Sequence, residues 1–143
     1  MTDHPQPFSR LLHLTAHAWR LAVDRRLKES GLSMSSWLAI ASVATANEPP
    51  TQKALAQLLG LEEASVVPLV DRLVKQQLLA RVQPKEDRRK RLLVLTEQGG
   101  EAFATVKTQA DALRAQLLAD IDPAALAVTE NVLQQLLERL GNV

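Results

Sequence analysis

Apolar side chains recur every three or four residues from Phe8 to about Ser30, and no proline or glycine interrupts them, which predicts a long first helix. Gly31 is expected to end this helix. Ser33 is a helix-capping residue, and the apolar spacing after it predicts a second helix that ends near Ala46, before an Asn-Glu-Pro-Pro sequence that breaks helices. The chain therefore begins with two helices.

The middle of the chain combines two further helices with a hairpin. Thr51 caps a third helix, and a fourth is predicted over residues 62–77, after a turn at Gly60. Two short runs typical of strands, residues 78–83 and 92–95, flank a charged segment. This pattern predicts a β hairpin directly after the fourth helix.

Two helices are predicted for the remainder of the chain. Thr96 caps one that reaches about Ala119, and Asp122-Pro123 is a cap-plus-proline start for a last one that ends at Gly141. The first and last helices both carry broad apolar stripes, which need a partner surface. We expect a second copy of the chain to cover them, because two-fold homodimers are the commonest oligomers. The alternative is that the stripes pack over their own domain.

Composition narrows the fold class. The 143 residues fit one domain, with a core at about 33–96 and dimerisation helices at about 8–30 and 97–141. Apolar residues make up 46% of the chain and are mostly Leu, Ala and Val, so we expect a mostly α protein with a small wing of two or three strands. The lack of cysteine excludes disulfides, thiolate metal sites and cysteine nucleophiles. Neither a secretory signal nor a membrane span is evident, so no membrane partner and a cytoplasmic location are expected.

Positive charge is concentrated in the predicted hairpin. Residues 81–91 hold six Arg and Lys side chains against only Glu86 and Asp87, a local net charge of +4 in a chain whose net charge is +1. Such a patch attracts a polyanion, so double-stranded DNA is the expected partner. The alternative, for a charge run taken alone, is a solvated loop that keeps the hairpin soluble.

The segment before the hairpin has helix-turn-helix spacing. Counted from Gln52, Ala56 is fifth, Gly60 ninth, Val66 fifteenth and Leu69 eighteenth. The small alanine lets two helices cross closely, the glycine takes the left-handed turn, and the two apolar residues pack the second helix down. A basic hairpin that directly follows such a motif indicates a winged helix-turn-helix that binds DNA.

Three stretches of this sequence form a recognisable set: Asp71-Arg72-Leu73 before a Leu-Leu-x-Arg strand, the turn Asp87-Arg88-Arg89, and Leu95-Thr96-Glu97-Gln98-Gly99. Together with the order of the elements they resemble the MarR family of winged-helix transcriptional regulators, and the likeness covers nearly the whole chain. Other stretches are similar to the SlyA branch: Ala18-Trp19-Arg20, residues 24–28, and Leu32-Ser33 up to Trp37. The resemblance implies a dimer whose fourth helix enters the major groove and whose wing enters the minor groove of a pseudo-palindromic operator.

The resemblance also implies roles for single residues. Arg89 matches the wing arginine that enters the minor groove, and Asp87 matches the carboxylate that orients it. Arginine suits a narrow, A·T-rich minor groove because the negative potential is strongest there and a guanidinium is weakly hydrated. The other cations are interpreted as phosphate contacts, although each taken singly also fits an ordinary exposed cation: Lys53, Arg72, Lys75, Arg88, Lys90 and Arg91.

The fourth helix, which the resemblance implies is the DNA-reading helix, departs from the family pattern. Ser65 and Pro68 belong to the expected DNA-facing set, yet the helix offers little chemistry for hydrogen bonds to base edges, so direct readout is expected to be modest. Many relatives carry a polar residue at Pro68, and a proline two turns into a helix predicts a bend or local loosening. Gln77 replaces the glycine that usually ends this helix.

Five residues match the wall of the pocket for small aromatic acids in the SlyA-like branch: His13, His17, Arg20, Ser35 and Trp37. Arg20 suits a carboxylate and Trp37 suits an aromatic ring, so a small phenolic or aromatic carboxylate effector is expected, with core packing as the alternative for Trp37. The two histidines, four residues apart, would bind a metal only with a third ligand. The sequence indicates none, so neither a metal nor a cofactor is expected.

Two other classes of function compete with DNA binding. The chain has no Gly-x-Ser-x-Gly, no phosphate-binding glycine loop and no His-Glu-x-x-His, so no catalytic residues can be assigned and an enzyme is not expected. A winged helix that binds protein is the stronger alternative. Such a wing would normally expose an apolar patch rather than the four consecutive cations of residues 88–91.

Overall fold

The fold was obtained as a computed structural model, which describes residues 7–141. Over that range the chain forms six α-helices and one two-stranded antiparallel sheet, which confirms the mostly α winged-helix fold expected from the sequence. The helices and strands are α1 (Phe8–Arg26), α2 (Met34–Thr45), α3 (Gln52–Leu59), α4 (Glu63–Lys75), β1 (Leu79–Val82), β2 (Leu92–Leu95), α5 (Glu97–Leu118) and α6 (Pro123–Gly141).

The chain divides into two compact units, and the first unit ends at Asp111. The first unit holds the hydrophobic core, whose largest fully buried side chains are all aliphatic: Leu27, Ile40, Leu55, Val66, Val70, Leu73, Leu79, Leu93 and Val106. In the second unit, none of the described α6 side chains is buried. No helix within residues 7–141 combines the length and apolar composition that crossing a membrane requires.

Hydroxyl side chains begin three of the helices, as predicted. The Oγ of Ser33 accepts a hydrogen bond from the N–H three residues on (3.2 Å), and the Oγ1 atoms of Thr51 and Thr96 do the same at 3.1 and 2.9 Å. Each bond satisfies a backbone donor that has no partner inside its helix. A fourth contact comes from α1, where Asp24 accepts from the N–H of Met34 at 2.5 Å and so places a carboxylate at the start of α2.

The helix-turn-helix consists of α3 and α4. Gly60 ends α3 with a left-handed φ of +67°, and the N–H of Leu61 donates to the Ala56 carbonyl at 2.9 Å. Ala56, Val66 and Leu69 are buried, so the small and apolar positions of the motif pack as its spacing predicts. The turn therefore holds α4 against α3 with the opposite face of α4 left open to solvent.

Helix α4, which the sequence predicts to be the DNA-reading helix, ends at Lys75, two residues before the predicted boundary. Gln77 adopts a left-handed backbone with φ of +64°, the conformation that glycine usually provides at this place. The N–H of Leu78 then donates to the Leu73 carbonyl at 3.0 Å, and the N–H of Gln77 donates to the Val74 carbonyl at 2.9 Å. These two bonds close the helix in a left-handed turn, with a glutamine in the position where a glycine would be unstrained.

The first helix and the first strand are also shorter than predicted. α1 ends at Arg26 rather than near Ser30, because residues Lys28–Ser30 tighten into one turn of 3-10 helix before Gly31 takes a φ of +76°. The strand predicted over residues 78–83 is reduced to β1. The N–H of Leu78 closes α4, so this residue does not begin the strand.

The start of α5 is packed tightly against the end of α4. The Thr96 Oγ1 donates to the Gln77 carbonyl at 2.5 Å, and the Thr96 N–H donates to the Leu78 carbonyl at 3.2 Å. A Cβ on Gly99 would clash with the same Leu78 carbonyl oxygen, which is a backbone atom and cannot move aside. The Leu-Thr-Glu-Gln-Gly sequence therefore joins the end of α4 to the start of α5 through one side-chain and one backbone hydrogen bond of Thr96 and the close approach of Gly99.

Candidate nucleic-acid interface

The wing is an antiparallel hairpin anchored to the start of α3. Leu79 pairs with Leu95 and Val82 pairs with Leu92, while an isolated bridge joins Leu92 to Thr51. The third strand that the sequence allowed is thus a single bridge. This attachment positions the charged loop that follows Val82 beside the helix-turn-helix.

The tip of the wing holds its backbone in place and leaves the Arg89 side chain exposed. Asp87 Oδ1 accepts a hydrogen bond from the Arg89 N–H at 3.0 Å and lies 3.4 Å from Arg89 Nε. Across the loop, the Gln83 side-chain amide donates to the Arg88 carbonyl. The Arg89 side chain is nevertheless 94% exposed. A guanidinium on a constrained turn loses less conformational entropy when it binds.

A cleft of about 590 Å³ lies between the wing, the start of α3 and the first turns of α4. Its wall contains five cations and one carboxylate among the described residues: Lys53, Arg81, Arg89, Lys90, Arg91 and Glu63. A concave surface of one charge sign with low-dielectric walls concentrates the electrostatic potential and raises the local concentration of anions. The phosphate backbone of a nucleic acid is the extended anion that such a cleft suits.

Arg81 links three elements rather than serving as a free cation. Its Nε and Nη2 atoms donate to Gln52 Oε1 at 3.1 and 3.0 Å, and Nη2 also pairs with Asp71 Oδ1. The wing strand is thereby tied to the first residue of α3 and to the exposed face of α4. Sequence reasoning counted Arg81 only as part of the charge run, although its place in the Leu-Leu-x-Arg motif was a signal for this role.

The predicted DNA-facing residues of α4 lie outside its buried face. Val66, Leu69, Val70 and Leu73 are buried, and the helix continues without interruption through Pro68. The remaining predicted contacts are exposed: Ser65, Pro68, Arg72 and Lys75 on α4, Lys53 on α3, and Arg88, Lys90 and Arg91 on the wing. The structure therefore presents these residues to solvent on the helix-turn-helix and the wing.

The five residues of the expected effector wall are divided between α1 and α2. His13 and His17 are exposed on α1, and Arg20 Nη2 donates to Ser35 Oγ at 3.5 Å. Trp37 is partly buried and stacks on Phe103 of α5, with ring centroids 5.5 Å apart and planes at 17°. Sequence reasoning did not single out Phe103. Within residues 7–141, no three side chains of the His, Asp or Glu type gather as metal ligands would.

Comparison with known proteins gives a family match over the centre of the chain. The model of the MarR family matches residues 32–90, which contain α2, α3, α4 and the wing. A solved structure described as the transcriptional regulator PA3341 is 36% identical, with a TM-score of 0.87, over 96% of this chain and 100% of that one.

Two more distant structures share the fold. CouR from Rhodococcus jostii RHA1, solved with p-coumaroyl-CoA bound, is 24% identical over 94% of this chain and 95% of its own, with a TM-score of 0.86. S. aureus MepR, solved as a DNA complex, is 18% identical over 94% of this chain and 96% of its own, with a TM-score of 0.84. At these identities the likeness supports the fold alone.

Proposed function

The chain belongs to the MarR family of transcriptional regulators, and from this we propose that it acts in the cytoplasm as a homodimer on a pseudo-palindromic, A·T-rich DNA operator. The observation that carries the proposal is the exposure of Arg89 at the tip of the wing. Arg89 is 94% exposed on a turn constrained by Asp87, at the edge of a cleft lined by further cations. A charged side chain in this setting suits a narrow minor groove.

The proposal assigns different tasks to α4 and to the wing. α4 enters the major groove with its exposed face toward the bases, and Arg89 enters the adjacent minor groove. The cations around them contact phosphates and hold the register without reading sequence. The Arg81 contacts to Gln52 and Asp71 fix the distance between the two reading elements. The complex of MepR with DNA, which has the same fold, supports this assignment.

Exposed apolar side chains support the homodimer. α1 exposes Phe8, Leu11, Leu12, Leu14 and Leu21, and α6 exposes Val128, Val132, Leu133, Leu137 and Leu140. Apolar stripes of this breadth normally pack against another apolar surface. A second copy of the chain provides the same apolar surfaces, and its two-fold axis would set two reading helices about 34 Å apart, one turn of duplex.

A small aromatic carboxylate is proposed as the effector that lowers DNA affinity. Arg20 and Ser35 lie within hydrogen-bonding distance of each other, and a carboxylate could take the place of the serine hydroxyl as the partner of the guanidinium. Trp37 and Phe103 form an aromatic surface on which a ring could stack. CouR, which shares the fold, holds p-coumaroyl-CoA, and this supports small-molecule control in this chain.

Fluorescence-anisotropy titration with A·T-rich and G·C-rich duplexes at two salt concentrations tests the DNA-binding proposal. We expect tighter binding to the A·T-rich duplex and an affinity that falls with salt in proportion to the number of phosphate contacts. Footprinting on the region upstream of the protein's own gene would then locate an operator. A protein that binds neither duplex at low salt would instead support a winged helix that binds protein.

A further inference from the structure

The exposed face of α4 carries an apolar patch formed by Ala64, Val67 and Pro68. These residues are spaced i, i+3 and i+4, so they are neighbours on one side of the helix. All three are exposed, and Val67 is 39% exposed although it is a β-branched aliphatic residue. The core does not need them, because the other side of α4 supplies the buried residues.

Charged groups surround this patch and indicate which molecule covers it. Val67 lines the same cleft as Lys53 and the wing cations Arg89, Lys90 and Arg91. A polyanion attracted by these cations would meet an apolar surface between them. Phosphates gain no hydrogen bond or ion pair from that surface, so the part of a nucleic acid that suits it is an apolar group.

Polar side chains that could hydrogen-bond to bases flank the three apolar residues: Glu63 lies four residues before Val67 in the same cleft, and Lys75 lies seven residues after Pro68. Asp71, which follows Val67 by four residues, is already paired with Arg81. Ser65 and Arg72 are seven residues apart and lie together on the neighbouring strip of the helix. The centre of the exposed face therefore has no free hydrogen-bonding group among Ala64, Val67 and Pro68.

We propose that α4 recognises thymine by its 5-methyl group, through contact with Ala64, Val67 and Pro68. This inference rests on the proposed function, since it requires α4 to enter the major groove. The thymine methyl is the apolar group that a base pair presents there, and small apolar side chains are its usual partners. Sequence preference at these positions then comes from methyl contacts, and Arg89 adds a separate preference in the minor groove.

Replacement of thymine by deoxyuridine tests the proposal directly. The substitution removes only the 5-methyl group, so base pairing and the minor-groove edge stay the same. The duplex is the tightest A·T-rich duplex found in the titrations, with uracil placed at the thymines that footprinting assigns to the major-groove contact. We expect affinity to fall about four-fold for each contacted methyl, the effect of one buried carbon. Uracil in the wing-contacted segment should leave the affinity unchanged.

Two variants test whether the patch of Ala64, Val67 and Pro68 causes the discrimination between thymine and uracil duplexes. Val67→Ala shortens an exposed side chain at a helical position where alanine is favourable, so the fold should be kept. The affinity ratio between the thymine and uracil duplexes should then fall toward one. Val82→Ala removes the same atoms from an exposed valine on β1, outside the patch, and should keep the wild-type ratio.

Other outcomes would overturn the inference. Equal affinity of the wild-type protein for both duplexes would show that the methyl groups are not read, while DNA binding itself would stand. Full discrimination retained in Val67→Ala would show that the patch is not responsible. Failure to bind either duplex would overturn the proposed function, and this inference with it.

Discussion

Substitution of Arg89 by alanine is the most direct perturbation of the wing. The side chain is 94% exposed, and its contact with Asp87 is a long 3.4 Å approach through Nε. The Asp87 carboxylate also accepts a hydrogen bond from the Arg89 backbone N–H, and this bond does not depend on the Arg89 side chain. Arg89→Ala should therefore leave the turn and the thermal unfolding midpoint unchanged, because exposed ion pairs contribute little to stability.

The expected effect on DNA binding is much larger. Loss of a charged contact in the minor groove costs about 1–3 kcal/mol, which corresponds to roughly 5- to 150-fold in affinity for each wing. Preference for A·T-rich flanking sequence should also weaken, since an arginine placed in the minor groove binds best where that groove is narrow, as in such sequence. In a homodimer both wings lose the contact, so the total loss should approach twice the free energy of one.

Anisotropy titration at two salt concentrations measures both effects, and Arg88→Ala is the matched comparison. Arg88 is also exposed on the wing, and its loop position is held through its backbone carbonyl by Gln83. If Arg88 contacts a phosphate, its removal should weaken binding to all duplexes alike. It should also lower the slope of log affinity against log salt concentration by about one per wing. Wild-type affinity in Arg89→Ala, or an identical response of the two variants to flanking sequence, would refute the assignment of Arg89 to the minor groove.

Three further predictions concern stability, assembly and control. Gln77→Gly should raise the free energy of unfolding in chemical denaturation by about 0.5–1 kcal/mol. The left-handed backbone at this position costs an L-residue more than glycine loses in conformational entropy on folding. Gln76→Gly, at a residue with an ordinary helical backbone, should not stabilise the protein. Leu137→Asp with Leu140→Asp should give monomers by sedimentation and abolish operator binding, because both side chains are exposed in the single chain and a dimer would bury unpaired charges; a wild-type chain that stays monomeric at micromolar concentration would contradict this. Salicylate should bind with millimolar affinity in calorimetry and weaken DNA binding. Equal heat from the Arg20→Ala variant would show that the proposed effector site at Arg20 and Trp37 does not bind salicylate.

Interactions between residues close in the chain could be predicted from the sequence. Ser33, Thr51 and Thr96 each satisfy a backbone donor three residues on, and Gly60 supplies a backbone conformation that its own lack of a Cβ permits. The helix-turn-helix, the hairpin and the basic turn all follow from such short-range rules. The DNA and effector contacts assigned to individual residues remain predictions.

Contacts between distant segments were decided only by the tertiary structure. Arg81 could not be separated from the charge run by composition, and packing brings it to Gln52 and Asp71. The stacking of Trp37 on Phe103 likewise depends on how α2 meets α5. Residues far apart in sequence meet only after the apolar faces have packed, and neither residue type nor spacing specifies their orientation. The sequence alone therefore determined the elements and their order, and tertiary packing determined which charged and aromatic side chains act together.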